Sequence, residues 1–355
     1  MSTSPNGDRL LRVDALSAER HLEYDEFVRC HRNALLYQSS KFQLFVSTIL
    51  NCELATLLCI DSSDTILGAL PLMAMRGSFG VVYNSLPFYG SNGGVIADDK
   101  DAGEMLISTF ESIASRSDVA AYTVVGNPLD PISSLRFPIR ASHLDSRIGQ
   151  FTYLAGSDTG GRPLFERIHY KTRNAIRKAS KLGIRVKTDN TALDFLAKVH
   201  AENLIALSGI PKPPMFFKAI PAFFDAGRDF RIYVADLDGE RIAALLVFYF
   251  GRTVEYYMPV VVEAHRSTQA ISLLAFHAMQ EAIDENAEIW NWGGTWHTQT
   301  GVFHFKSRWD TKHNEYQYRC QINNPEILTQ QLSTLIEEYP YFFVAPSAAL
   351  SERTE

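Results

Sequence analysis

The chain has no paired cysteines. Its four, Cys30, Cys52, Cys59 and Cys320, show no C-x-x-C or similar spacing. That excludes a disulfide-stapled domain and a cysteine zinc site, and leaves reduced, mostly buried thiols. Nothing at the amino end reads as a signal peptide, so the expected setting is the cytoplasm. Long hydrophobic runs are missing too. The richest, 242–250, has the length of a buried strand and falls far short of the roughly 18 apolar residues a membrane span needs. The ten histidines are scattered, with no H-E-x-x-H and no Cys/His cluster, and both G-x-S-x-G and G-K-[ST] are absent. Metal hydrolase, serine hydrolase and P-loop readings fall away, and neither a metal nor a cofactor is expected.

What is present is an ordinary globular composition, 46% hydrophobic and 21% charged over 355 residues. It suits two domains of moderate size, each able to bury a core. The net charge of −6 gives no global reason for a nucleic-acid partner, but its distribution is uneven. Between Arg167 and Lys187 lie Arg167, Lys171, Arg173, Arg177, Lys178, Lys181, Arg185 and Lys187, with no Asp or Glu among them. Such a run is either a solvated helix face or an anion site. Like charges repel without acidic neighbours, so phosphates would stabilise it.

The second half predicts a helix over 163–182 ended by Gly183, a short strand at 184–187, and helices at 191–207 and 214–226. Three strands follow at 230–236, 241–250 and 253–261, joined by the hairpin signals Asp238-Gly239 and Gly251-Arg252. A helix over 268–286, a strand at 288–292, a short helix near Phe303 and a strand at 315–320 complete it. The first half repeats part of this order: a hairpin of 54–61 with 65–75, a strand at 81–85, a Gly-rich loop, a helix at 102–114 and a strand at 120–125. Ile66-Leu67-Gly68-Ala69-Leu70 parallels Ile242-Ala243-Ala244-Leu245-Leu246, each after an acidic turn. The fold class is α/β (α+β): two tandem copies of one mixed, mostly antiparallel twisted sheet flanked by helices. The domains expected are 10–155 and 156–322, with a C-terminal helix at 325–338 packing back on the first. The order of strands and helices is that of the GNAT acyltransferase fold.

Three stretches carry a narrower resemblance. His169-Tyr170-Lys171-Thr172-Arg173-Asn174-Ala175-Ile176-Arg177-Lys178-Ala179, continuing to Lys181-Leu182-Gly183-Ile184, resembles the K-T-R-N-x-I-R-K-A-x-K-x-G-V signature that opens the second domain of FemABX-like proteins. Ser85-Leu86-Pro87-Phe88-Tyr89-Gly90-Ser91-Asn92-Gly93-Gly94 is similar to the loop of their first domain. Trp292-Gly293-Gly294 followed by Gly301-Val302-Phe303-His304-Phe305-Lys306 resembles their G…G-x-x-x-F-K ending. The resemblance implies an acyltransferase joining an activated acyl group to an amine. Well-known relatives take aminoacyl-tRNA and extend peptidoglycan precursors of bacteria. It also implies roles. Lys306 would sit beside the acyl donor, holding a phosphate or the developing oxyanion, with Phe305 as a wall. Lys171, Arg173, Asn174, Arg177 and Lys178 would bind phosphate, and Tyr89, Gly93 and Gly94 would bring backbone N–H groups to phosphate or sugar. Trp292, with Trp290 and Trp296 nearby, lines a pocket or packs in the core. His297 and His304 are candidate general bases.

Two departures stand out. The family follows its lysine with an aromatic-Gly pair, where this chain has Trp309-Asp310. Acetyl-CoA enzymes of the fold carry glycines before the central helix so that its N-terminus can approach a pyrophosphate. Here the stretch reads Arg266-Ser267-Thr268-Gln269-Ala270-Ile271, with larger side chains at both glycine places. That ranks the acceptor end of aminoacyl-tRNA first as donor and an acyl-CoA or carrier protein second, with a non-catalytic binding protein as a third reading. The acceptor is a small-molecule or cell-wall precursor amine. Nothing specifies an oligomeric state.

Overall fold

A computed structural model describes residues 10–85, 87, 93–130 and 136–350. The chain divides into two compact units, Met1–Ile148 with Asn314–Glu355, and Gly149–His313.

The first unit begins with β1 (Leu11–Ala15), α1 (His21–Cys30), α2 (Ser40–Leu50), β2 (Glu53–Leu54), β3 (Leu57–Asp61), β4 (Ile66–Leu70), β5 (Met73–Gly77), β6 (Gly80–Asn84), β7 (Ile96–Ala97), α3 (Lys100–Ala114) and β8 (Val119–Val125). The expected strand over 65–75 is two strands. β4 pairs with β3 in a four-stranded sheet, β1-β3-β4-β7, whereas β5 pairs with β6 in the other sheet. Pro71 lies at the break, where a residue without an N–H cannot continue a ladder. α3 starts at Asp99, whose carboxylate accepts from Ala102 N at 2.9 Å. Leu106, Phe110 and Ala114 recur at helical spacing and are buried against Tyr122 and Val124 of β8.

β9 (His143–Tyr153) leads into the second unit. There follow α4 (Leu164–Arg167), α5 (Tyr170–Lys181), β10 (Arg185–Thr188), α6 (Leu193–Ile205), α7 (Pro214–Phe223), β11 (Phe230–Leu237), β12 (Glu240–Phe250), β13 (Thr253–Val261), α8 (Ala270–Asp284), β14 (Ile289–Thr295) and α9 (Thr300–Ser307). β15 (Lys312–Ile322) returns the chain to the first unit, where α10 (Leu332–Glu338) follows. In the second unit β10 to β13 are successive antiparallel neighbours, and β14 lies parallel to β13. The β11–β12 turn has Asp238 at φ 51° and Gly239 at φ 86°, the two left-handed residues a tight hairpin demands. Ile242 to Phe248 of β12 are all buried, as a central strand covered on both faces must be. α5 and α8 supply Ile176, Ala179, Leu274 and Ala278 to one core with Trp290, Trp292 and Trp309.

The helix expected over 163–182 is broken. Ile168 and His169 are extended, and α5 starts afresh after His169, whose ring nitrogen accepts from Lys171 N at 3.2 Å. The break buries Ile168 and frees carbonyls at the end of α4, which Arg173 takes up: its Nη1 donates to Glu166 O and Ile168 O. The helix expected from 268 starts at Ala270, because Gln269 is left-handed at φ 67°. No helix among the described residues is long and apolar enough to cross a membrane.

Candidate active site

β13 and β14 share three rungs, the last being Glu255 opposite Asn291. Both strands run on, to Val261 and to Thr295, without further pairing to each other. At the last rung the two side chains, each 1% exposed, are joined by Asn291 Nδ2 donating to Glu255 Oε2 at 2.9 Å, while Asn291 Oδ1 accepts from Gly293 N at 3.0 Å. Just beyond, the register of β12 against β13 slips: Val247 faces Tyr256 and Leu246 faces Met258. Tyr257 is therefore a bulge residue. Ladder end and bulge coincide, which leaves backbone groups of a parallel pair available to a guest at its carboxyl end.

Two lysines flank this opening. On the β14 side, Lys306 of α9 is 6% exposed. Its Nζ donates to Thr295 Oγ1 at 2.8 Å, Gly294 O at 3.1 Å and Gly293 O at 3.4 Å. Three acceptors match the three protons of an ammonium. Among the described residues no carboxylate lies within ion-pair distance, and burial pulls the pKa down to about 7. Gly293, at φ 70°, turns the strand so that successive carbonyls meet one ammonium.

The residues behind Lys306 hold it in place. Gln150 Nε2 donates to Phe303 O at 3.2 Å and Ser307 Oγ at 3.1 Å, bracing α9. Thr152 Oγ1 donates to Trp309 O and accepts from Trp292 Nε1. Asp310, standing where the resembling family has glycine, takes the left-handed conformation at φ 56°. Its carboxylate receives Arg167 Nη1 at 2.6 Å, and Arg167 Nη2 donates to Tyr153 O. The turn is kept, and an ion pair on a buried guanidinium accompanies the missing glycine.

On the β13 side, Lys212 lies between α6 and α7 with its ammonium over the rings of Phe216 (4.9 Å) and Tyr257 (5.6 Å), which stack at 4°. Burial lowers its pKa to about 7 as well. Its backbone N–H donates to His200 Nε2 at 3.2 Å, so that ring carries its proton on Nδ1. Burial and the nearby ammonium push His200 down to about 4, keeping it neutral.

The other predicted residues separate. Phe305 packs edge-on to Trp292 at 6.1 Å, behind Lys306. Trp290 and Trp292 are 0% and 2% exposed, with Tyr256, Trp309 and Phe305 around them, so they are core. His297, His304 and Trp296 are exposed. On α5, Asn174, Arg177, Lys178 and Lys181 line an open depression of about 380 Å³. Among the described residues no carboxylate pairs with these cations or with Lys171. Arg177 lies over Phe165 at 5.2 Å and donates to Asn174, and Lys178 Nζ donates to Ser267 O in the segment before α8. Arg173 is turned to backbone carbonyls instead. In the first unit, Gly93 packs on Ser85, where a Cβ would meet the hydroxyl at 2.6 Å, and Gly94 is left-handed at φ 86°. Tyr89 lies outside the described residues.

Sequence reasoning missed Glu255, Asn291, Lys212, Gln150 and Thr152, and read Arg167 only as one of a run of cations, not as the partner of Asp310. Glu255 carried a usable signal, an acid inside the apolar run Thr253–Val261.

Residues 166–307 match the family model described as acetyltransferase (GNAT) domain. That stretch, most of the second unit, is therefore similar to a domain of that kind. A crystal structure of FemX superposes with a TM-score of 0.70 at 14% identity, covering 89% of this chain and 98% of that one. The C-terminal domain of a putative lysylphosphatidylglycerol synthetase from Agrobacterium fabrum superposes at 0.55 and 12% identity, covering 93% and 100%. A tandem GNAT protein from the clavulanic acid biosynthesis pathway gives 0.50 at 12% identity, covering 88% and 98%. No curated protein matches the chain in sequence. The fold is therefore the tandem GNAT arrangement shared with FemX, as the sequence motifs implied.

Proposed function

We propose that this chain transfers an aminoacyl group from aminoacyl-tRNA to the amine of a small-molecule or cell-wall precursor, with the chemistry at the open end of the β13–β14 pair. The observation that carries the donor assignment is the row of cations on α5. Arg177, Lys178 and Lys181 face an open depression without carboxylate partners, as suits a polyanion with several phosphates. The segment that would cradle a coenzyme A pyrophosphate is filled from within. Thr268 Oγ1 accepts from Ala270 N, Lys178 takes Ser267 O, and Gln269 stands where glycine would be needed.

In the reaction the acceptor ammonium first loses a proton. Lys212, titrating near neutrality, is the group that takes it, in place of the exposed His297. The amine nitrogen attacks the acyl carbon, and the tetrahedral oxyanion forms beside the Lys306 ammonium. The ester C–O bond then breaks and the tRNA hydroxyl leaves with the proton returned by the Lys212 ammonium, while the neutral Lys212 takes the surplus proton of the attacking nitrogen and passes it to solvent, leaving a neutral amide. Gln150, Thr152 and the Arg167–Asp310 pair position α9 and do not touch substrate.

A thioester donor is the second reading, favoured by the description of the matching family model. The test is transfer of labelled acyl groups from a mixed aminoacyl-tRNA pool and, separately, from acetyl-CoA to an amine-containing bacterial extract. Enzyme-dependent, ribonuclease-sensitive loss of label from tRNA supports the first reading. Loss from coenzyme A alone replaces it with the second.

A further inference from the structure

The corner between α6 and α7 carries an apolar surface that the proposed reaction does not use. From Asn203 to Phe224 the chain has no Asp or Glu, and its only charges are Lys212 and Lys218, on a protein of net charge −6. Ile205, Leu207, Ile210 and Met215 are 65%, 69%, 55% and 55% exposed. α7 buries Phe216, Phe217, Ala219 and Ile220, yet its outward residues are Pro214, Met215, Lys218, Pro221 and Ala222. A helix that is apolar all round is normally covered all round. Here one face is open.

The corner is built to hold its shape. The last turn of α6 closes tightly: Leu207 N and Gly209 N both donate to Leu204 O, at 3.0 and 2.8 Å, with Ser208 left-handed at φ 56°. That closure leaves Leu207 and Ile210 outside. Pro211, Pro213 and Pro214 stiffen the path into α7. Underneath, Asn203 Nδ2 donates to Val261 O at 3.0 Å and Phe216 stacks on Tyr257, which ties both helices to β13. Aliphatic side chains on a fixed turn lose little freedom when something covers them, and covering them removes apolar area from water.

We infer that this corner docks on an anionic lipid surface, with Leu207, Ile210 and Met215 entering the acyl boundary and Lys218 meeting the headgroups. Charge selects this occupant. Both charges of the segment are positive and its outward residues are aliphatic, and an apolar wedge flanked by lysine is what holds a protein at an anionic lipid interface. Protein partners are anchored chiefly by Tyr, Trp and Arg, none of which occurs between Asn203 and Phe224. The docking does not depend on the donor or the acceptor of the proposed reaction.

Co-sedimentation of the full chain with vesicles tests it, using phosphatidylcholine alone and phosphatidylcholine with about one third phosphatidylglycerol. Saturable binding to the mixed vesicles is expected, about tenfold or more weaker on phosphatidylcholine alone. Leu207→Ser combined with Ile210→Ser should weaken it about tenfold or more, and Lys218→Glu about fivefold. Met215→Glu, on the other helix, repeats the test should the paired substitution disturb the turn. The cations of α5 also attract anionic lipid, so unchanged binding in the folded variants would overturn the inference. Failure to bind the mixed vesicles, or equal binding to both kinds, would do the same. So would self-association without vesicles that these substitutions abolish in sedimentation velocity, since the surface would then belong to a second copy.

Discussion

The two units contain the same piece of architecture in opposite states. Each has a parallel strand pair joined through a helix: β6, α3 and β8 in the first, β13, α8 and β14 in the second. In the first unit the ladder runs to the last residue of β6, Asn84 opposite Thr123, and is then stitched further. Ser85 N donates to Thr123 O at 3.0 Å, and Ser85 Oγ accepts from Val125 N at 2.8 Å. Phe343 O, from the C-terminal segment, accepts from both Asn84 Nδ2 and Thr123 Oγ1. In the second unit the ladder stops at its third rung, the neighbouring strand bulges, and a buried lysine, Lys306, and a half-buried one, Lys212, stand at the opening. A closed pair satisfies its own backbone and serves stability. An open pair leaves that satisfaction to a ligand, which is what a site needs.

The comparison can be broken most sharply through pH. Lys306 has a folded pKa near 7, below the 10.5 of a free lysine. Between those values the unfolded chain holds a proton that the folded chain lacks, so its contribution to stability rises with pH across that window and is lost as pH falls toward 7. The gain is on the order of a few kcal/mol. Lys306→Met removes it. Urea melts from pH 7 to pH 10.5 should show a shallower rise for the variant, the remaining slope including Lys212, which titrates with the same sign. Parallel curves would mean that Lys306 is not desolvated as described.

A smaller effect sharpens the role of α5. Arg177→Ala combined with Lys181→Ala should raise KM for the polyanionic donor about tenfold and flatten its salt dependence, with kcat little changed. A loss confined to kcat would move these cations from anchoring to chemistry. Smallest is the stitch of the first unit. Ser85→Ala leaves Val125 N without its acceptor and should cost about 1 kcal/mol in denaturant midpoint analysis while turnover stays within about twofold. A large loss of turnover at unchanged stability would place chemistry in the first unit as well.

Features set by local chemistry were legible in the sequence. Asp238-Gly239 and Gly251 marked hairpins because few residues accept left-handed conformations, and α3 showed its apolar face. The break at Ile168-His169 was hidden because helical periodicity continues across it, and the histidine that caps α5 is no ordinary cap. Pro71 was visible but was read through, since the apolar run continues on both sides. At the site, Lys306 stood out through its motif, yet its burial depends on Gln150, Thr295 and the Trp292 cluster, which only the fold assembles. The Lys212 cage joins a loop to β13, and no local pattern announces it. Asp310 looked like a lost turn, but aspartate tolerates the conformation and Arg167 supplies its partner.

The most direct test of the central claim is the single-turnover rate of acyl transfer with Lys306→Met, compared with the unaltered protein at saturating donor and equal folded fraction. The account predicts a fall of about 100- to 1,000-fold with donor affinity nearly unchanged, as removal of one oxyanion-stabilising group does elsewhere. A rate within a few-fold of the original would contradict it, and would leave the open strand pair of the second unit without its assigned chemistry.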